Sequence, residues 1–247
     1  MGSAITPRVG IVTGAGSGIG QACVSILSEA GCKVRAWDRD ADSLRQYIDD
    51  PMVSTAIVDV TDADSIAAAM ASYGKGRPVD YVINCAGAFL VGPLSAVSAD
   101  AVRSLFDVNV LGTTLVVQAA LDGLKRSSGA IVNVASSVAL KATRSNAHYA
   151  ASKAAVAHLS KCWAMELGPD GIRVNCVAPG PTATAIYSAA GMSEDEQATL
   201  LKERASSIPL RRVGSPMDTA TWIVRLAIED LWTTGAVVPI DGGMSLD

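Results

Sequence analysis

Tyr149 and Lys153 stand four residues apart in "AHYAASKAAV", a run of small, helix-forming residues. On a helix, that spacing puts both on one face, about 6 Å apart along the axis. A free phenol titrates at about 10 and is a poor base at neutral pH. An ammonium beside it favours phenolate and draws the value toward the working range, where the phenol can trade protons. Ala147, Ala150, Ala151, Ser152, Ala154 and Ala155 leave room for other molecules beside both head groups. The pair alone is a weak signal, since Tyr and Lys meet at this spacing by chance on many surface helices.

A second candidate is "TGAGSGIG" at 13–20, which follows the apolar run "RVGIVT". Gly14, Gly16, Gly18 and Gly20 let the backbone turn tightly around Ser17 and Ile19 and approach a pyrophosphate, whose charge sits at the following helix N-terminus. The spacing departs from GxGxxG, with isoleucine at 19 and glutamine at 21. Context strengthens it: a strand precedes, a helix follows, and Asp38 ends the next strand, "KVRAWD". Asp38 lies 18 residues past Gly20, close to the spacing of about 20 expected for a ribose-binding carboxylate. A carboxylate there accepts from an adenosine 2′-hydroxyl and repels a 2′-phosphate. Arg39 beside it would suit that phosphate, but Ser17 leaves the glycine turn without a second basic anchor. The balance favours NAD over NADP, with a plain solvated turn as the other reading of Asp38.

These groups need a frame. Short β-branched runs ("RVGIVT", "KVRAW", "VSTAIV", "DYVINC", "GAIVNVA", "IRVNCV", "AVVPI") alternate with stretches of helical period at 18–30, 62–72, 100–125, 149–167 and 216–229. Strands that read as nearly continuous apolar runs, each followed by a helix, indicate an α/β protein. The expected architecture is a single-domain Rossmann fold, a doubly wound, mostly parallel seven-stranded sheet covered on both faces. No repeat or linker divides residues 1–247, which read as one dinucleotide-binding and catalytic domain. The stretch 181–208 breaks the alternation, is polar and helix-prone, and reads as a mobile flap over a site.

Composition narrows the function classes. Of 247 residues, 49% are apolar and 18% charged, ample for one large core. A net charge of −4 gives no basic footprint for nucleic acid. No run of about 18 uninterrupted apolar residues occurs, so no membrane span is expected. The first residues lack a charged leader and a cleavage site, and a cytoplasmic protein is expected. Gly2 with Thr6 loosely matches a myristoylation signal, set aside because the fold needs this segment near the first strand. Five cysteines without CxxC spacing and only two histidines argue against disulfides or a metal, so reduced thiols are expected.

Taken together, the motifs resemble the short-chain dehydrogenases/reductases in their compact, NAD-preferring form, over 8–243. "TGAGSGIG" looks like TGxxxGxG, and Asp59–Val60 like the pair that contacts adenine. "NCAG" (Asn84, Cys85, Ala86, Gly87) matches NNAG with cysteine in place of the second asparagine. "VNV" holds the family's helix asparagine, Asn109, and "YAASK" is YxxxK. "APGPTAT" (with Pro179, Gly180, Thr182 and Thr184) resembles the PGxxxT segment that meets the nicotinamide carboxamide, and "DGG" at 241–243 the usual tail. The resemblance implies that Ser136, 13 residues before Tyr149, is the catalytic serine rather than Ser137. Ala139 departs from a common glycine.

The implied chemistry is hydride transfer between NAD and a secondary or cyclic alcohol. Tyr149 takes the hydroxyl proton, Ser136 holds the substrate oxygen, and Lys153 biases the phenol and anchors the nicotinamide ribose. Asn109 holds a water that links Lys153 to solvent. Substrate-facing positions are Phe89, Val138, Leu140, Arg144 and Tyr187, with Ala88, Val91, Ala139 and Ile186 nearby, a largely apolar wall. Lys141, Arg144 or His148 is available to an anionic group. A 3-oxoacyl thioester reductase and a non-catalytic dinucleotide sensor are the alternatives. A homotetramer packing the helices at 100–125 and 149–167 is the implied assembly, with Trp232 either capping the flap or at a subunit interface.

Overall fold

The computed structural model describes residues 7–74, 76–184 and 186–246; the reading at Gly2 and Thr6 lies outside them. Seven strands form one sheet in the order β3-β2-β1-β4-β5-β6-β7. They are β1 Val9–Thr13, β2 Lys33–Asp38, β3 Val53–Ile57, β4 Tyr81–Asn84, β5 Ala130–Val134, β6 Arg173–Pro179 and β7 Val237–Ile240. Every pairing is parallel, so the sheet is wholly rather than mostly parallel. The order reverses at β1/β4, and a crevice opens there at the carboxyl ends of the strands.

One face is covered by α1 (Gly18–Glu29), α8 (Pro216–Val224) and a π-helical turn, Arg225–Glu229. The other carries α2 (Ala63–Tyr73), α3 (Ala99–Phe106), α4 (Thr113–Ser127) and α5 (Ala147–Leu167). Alternation along β4 divides the core: Tyr81 and Ile83 pack toward α1, Val82 toward α4.

The stretch 100–125 is not one regular helix, because a π-helical turn, Asp107–Gly112, joins α3 to α4. The continuous run Ala99–Ser127 is the one described helix apolar and long enough to cross a membrane. Its inner face carries Val116, Ala120 and Leu124 onto the sheet. The segment 181–208 holds two helices, α6 (Ile186–Ala189) and α7 (Glu194–Ser207), the latter opened by a Ser193/Glu196 capping box.

Candidate active site

The glycine turn is shaped by contacts that exclude side chains. Gly14 has φ +62°, and a Cβ there would lie 2.8 Å from the Ala86 nitrogen. A Cβ on Gly20 would strike the Gly14 carbonyl at 2.1 Å, so α1 packs directly on the loop that opens it. Ser17 is the N-cap, but no side chain caps α1, and the first-turn N–H groups face the groove. That groove, ≈ 780 Å³, runs from Ser17 and Gly18 past Thr184 to Ser215 and Pro216 at the start of α8. A cradle of bare amides with no competing cap fits a pyrophosphate.

Asp38 ends β2 at the rim of this turn. Its carboxylate accepts from the Gly16 N–H at 2.9 Å and from the Asp40 N–H at 3.0 Å. Asp59, exposed after β3, accepts from the Thr61 N–H and hydroxyl; these bonds, with Arg39 nearby, hold its carboxyl below the usual range. Val60 is buried against Gly112. Asn84 is buried at the end of β4: its amide donates to Asn133 across the β4/β5 pair, and Asn133 donates to Ser160, while Asn84 Oδ1 has no partner. Ala86 and Gly87 do border the crevice, and a Cβ on Gly87 would lie 3.2 Å from Lys153 Nζ and 3.3 Å from Asn109 Oδ1. Pro179 closes β6 beside Ile240, Gly180 abuts Asp241, and Thr182 is buried with its hydroxyl on the Gly180 carbonyl. Thr184 lies against Gly18.

Ser136, Tyr149 and Lys153 come together on β5, its following turn and α5. Ser136 opens that turn, and its hydroxyl bears on the Tyr149 phenol, pulling its pKa down. Burial pulls harder the other way: Tyr149 is 8% exposed, and its pKa rises to about 12. Lys153 sits 6.0 Å from the phenol ring centre and donates to the Val134 carbonyl at 2.9 Å. Burial destabilises its ammonium, lowering its pKa to about 8. In this closed site desolvation outweighs the Ser136 hydrogen bond, and the Lys153 ammonium lies to the side of the ring, donating a proton to a backbone carbonyl.

Asn109 is fully buried beneath the loop after β4. Its Oδ1 accepts from the Ala88 N–H at 2.8 Å, while Nδ2 donates to the Ala88 carbonyl and the Ser152 hydroxyl. Its own carbonyl accepts from Thr113. These bonds clamp the loop after β4 onto the π-helical turn and engage both amide protons of Asn109. A π-turn in a helix frequently marks a functional site, and here it swings Asn109 under that loop.

Above the phenol, Phe89 packs edge-on to Tyr149 at 4.9 Å and 78°, and to Tyr187 at 5.5 Å and 81°. Tyr187, on α6, is buried. The flap is thus seated on the site through aromatic edges, and the phenol lies outside the open groove. Val138 borders the catalytic turn half-buried, whereas Leu140 and Arg144 point outward.

A family model described as Enoyl-(Acyl carrier protein) reductase matches residues 14–245. A Burkholderia thailandensis oxidoreductase of the short chain dehydrogenase/reductase family superposes with a TM-score of 0.88 at 32% identity, covering 98% of this chain and 94% of that one. The chain belongs to the short-chain dehydrogenase/reductase family. Among its relatives in that family, L-xylulose reductase of Bos taurus is 36% identical over 96% of each chain. Cis-4-hydroxycyclohexanecarboxylate dehydrogenase of Sinomonas cyclohexanicum is 35% identical over 98% of each. The 3-oxoacyl-[acyl-carrier-protein] reductase FabG of Chlamydia muridarum is 34% identical over 99% of this chain and 100% of its own. ElxO, solved with NADP bound, superposes at TM-score 0.86 with 27% identity, over 98% of this chain and all of its own.

Two features of this site had no signal in the motifs. A 3₁₀ turn, Ser43–Tyr47, buttresses the glycine loop: the Tyr47 hydroxyl donates to the Ala15 carbonyl at 2.7 Å, and Gln46 to the Gly16 carbonyl at 3.0 Å. Ser152, one residue before Lys153 on the small-residue face, receives the Asn109 amide. Five residues are too few to show a period, and a serine among alanines reads as filler.

Proposed function

We propose that the protein is an NAD(H)-dependent dehydrogenase that interconverts a secondary or cyclic alcohol and its ketone. The observation that carries this reading is the meeting of Ser136, Tyr149 and Lys153, with Lys153 against Gly87 at the carboxyl end of β4. A bound nicotinamide dinucleotide supplies the hydride acceptor or donor at its C4. The uncapped first turn of α1 would hold its pyrophosphate, and Asp38 its adenosine ribose. NAD over NADP is supported by the Asp38 carboxylate at the rim of the glycine turn. The NADP-bound ElxO is the reason to measure both.

Ser136 orients the substrate oxygen toward the phenol. Tyr149 takes the hydroxyl proton during oxidation and returns it during reduction; Lys153 stabilises the phenolate as it forms. Phe89, Val138 and Tyr187 give an apolar wall that suits a carbon ring or chain better than a charged group. A 3-oxoacyl thioester substrate is the second reading, favoured by the FabG relative.

Replacing Tyr149 with Phe should lower turnover by about 10²–10⁴-fold while leaving dinucleotide affinity in place. Absorbance of the reduced nicotinamide, followed with each cofactor over a panel of cyclic alcohols, ketones and a 3-oxoacyl thioester, reads both this variant and the substrate class. Full activity in the Phe variant ends the proposal. Tight dinucleotide binding without turnover on any member of the panel favours a sensor.

A homotetramer is supported by the outward apolar residues of the long helices, such as Leu111 and Met165, and by the fully solvent-facing Trp232. With the ring of Trp232 94% exposed, an interface suits it better than a cap on the flap. A cytoplasmic setting is supported by five cysteines that are all unpaired.

A further inference from the structure

At the end of the sheet opposite the crevice, where β1, β2 and β3 begin, lies a hollow of ≈ 370 Å³. Val9, Met52 and Pro78 form apolar walls, and Lys33, Arg35 and Arg77 supply three cations. Tyr73 ends α2 between two of them. Arg35 Cζ lies 4.4 Å from its ring centre and Arg77 Cζ 5.8 Å, while its hydroxyl is fixed on the Pro78 carbonyl. Two guanidinium groups therefore share one ring.

The ring offsets part of their mutual repulsion. A carboxylate would offset the rest, yet among the described residues none of the three cations makes an ion pair. The charges that act on half-buried Arg35 are the Tyr73 phenol and Arg77; no carboxylate is among them. The neighbouring Asp80 carboxylate is turned to the Val9 N–H at 2.8 Å. A concave, cation-lined hollow is thus left without its counter-charge in a chain whose net charge is −4.

We propose that this hollow is a ligand site for an organic phosphate, its dianion held by Lys33, Arg35 and Arg77 and its apolar body resting on Val9, Met52 and Pro78. Forked guanidinium groups match phosphate oxygens, and a dianion answers three cations better than a single carboxylate does. The volume falls in the range of small-molecule sites, about 300–1,000 Å³, so inorganic phosphate would leave most of it empty. The site is separate from the catalytic crevice. Lys33 and Asp38 stand at opposite ends of β2, about 16 Å apart at the rise of an extended strand.

Phenyl phosphate is the probe, with phenol and with sodium chloride at matched ionic strength as controls, on the full chain. Calorimetric titration and thermal melting should show saturable binding of phenyl phosphate alone. In Arg77→Gln, an exposed position whose loss leaves the fold intact, affinity should fall at least tenfold while dinucleotide binding stays unchanged. Absence of saturable binding overturns the proposal. So does equal affinity in Arg77→Gln and the parent, which takes the anion away from this hollow, or displacement of phenyl phosphate by NAD, which puts it on the glycine turn. None of these outcomes touches the dehydrogenase reading.

Discussion

With its pKa pushed up to about 12 in the closed site, the Tyr149 phenol holds its proton at neutral pH. It is ready to donate in ketone reduction and becomes a base only as pH rises. Alcohol oxidation should therefore accelerate through the alkaline range, and ketone reduction should fall over the same interval; parallel profiles in the two directions would contradict this. Lys153 makes a separate, thermodynamic prediction. Its pKa falls from 10.5 in the unfolded chain to about 8 in the fold, so the unfolded state binds the proton more tightly. The group costs stability below pH 8, and that cost is relieved as pH rises from about 8 to 10.5. The full span is on the order of 3 kcal/mol. The stability of the parent protein relative to Lys153→Met, which cancels all other titrations, should rise across that window in denaturant melts. A flat difference would mean that Lys153 is not desolvated as described. Both shifts were beyond the reach of the sequence: YxxxK announces a phenol beside an ammonium, while their proton affinities depend on burial by distant residues such as Phe89 and Tyr187.

Elements position these groups with little slack. Gly20 lets α1 descend onto the Gly14 carbonyl, so Gly20→Ala must displace the glycine turn. Dinucleotide affinity should drop tenfold or more in a fluorescence titration, and an unchanged affinity would reject the proposed cradle. The π-helical turn makes a comparable demand. Asn109→Ala would leave the Ala88 N–H and carbonyl without partners, costing about 2 kcal/mol in a urea melt and loosening the loop that carries Phe89. The strands were legible because β-branched runs of five to seven residues declare themselves, and every one from "RVGIVT" to "AVVPI" overlaps an observed strand. The π-turns were not. They keep the helical period of their neighbours and differ only in how tightly the backbone winds, and at Asp107–Gly112 the tertiary bonds of Asn109 to Ala88 and Ser152 accompany that choice.

The doubly wound seven-stranded sheet followed from alternating strands and helices because right-handed crossovers leave few topologies, whereas its strand order is read only in the fold. Contacts between remote segments did not follow from pattern: Phe89 after β4, Tyr149 on α5 and Tyr187 on α6 meet only in the folded chain. Sedimentation of the protein should give a mass several times the 25.3 kDa of one chain, burying outward apolar residues such as Leu111 of the π-helical turn and Met165 of α5. A stable single-chain species would remove the tetramer. The three meeting rings carry a consequence for selectivity. Each edge-to-face contact is worth about 0.5–1.5 kcal/mol beyond its buried area, so a visitor to the crevice must replace what it pries apart. Compounds too small or too polar to restore those contacts are turned away at the threshold, before any proton moves.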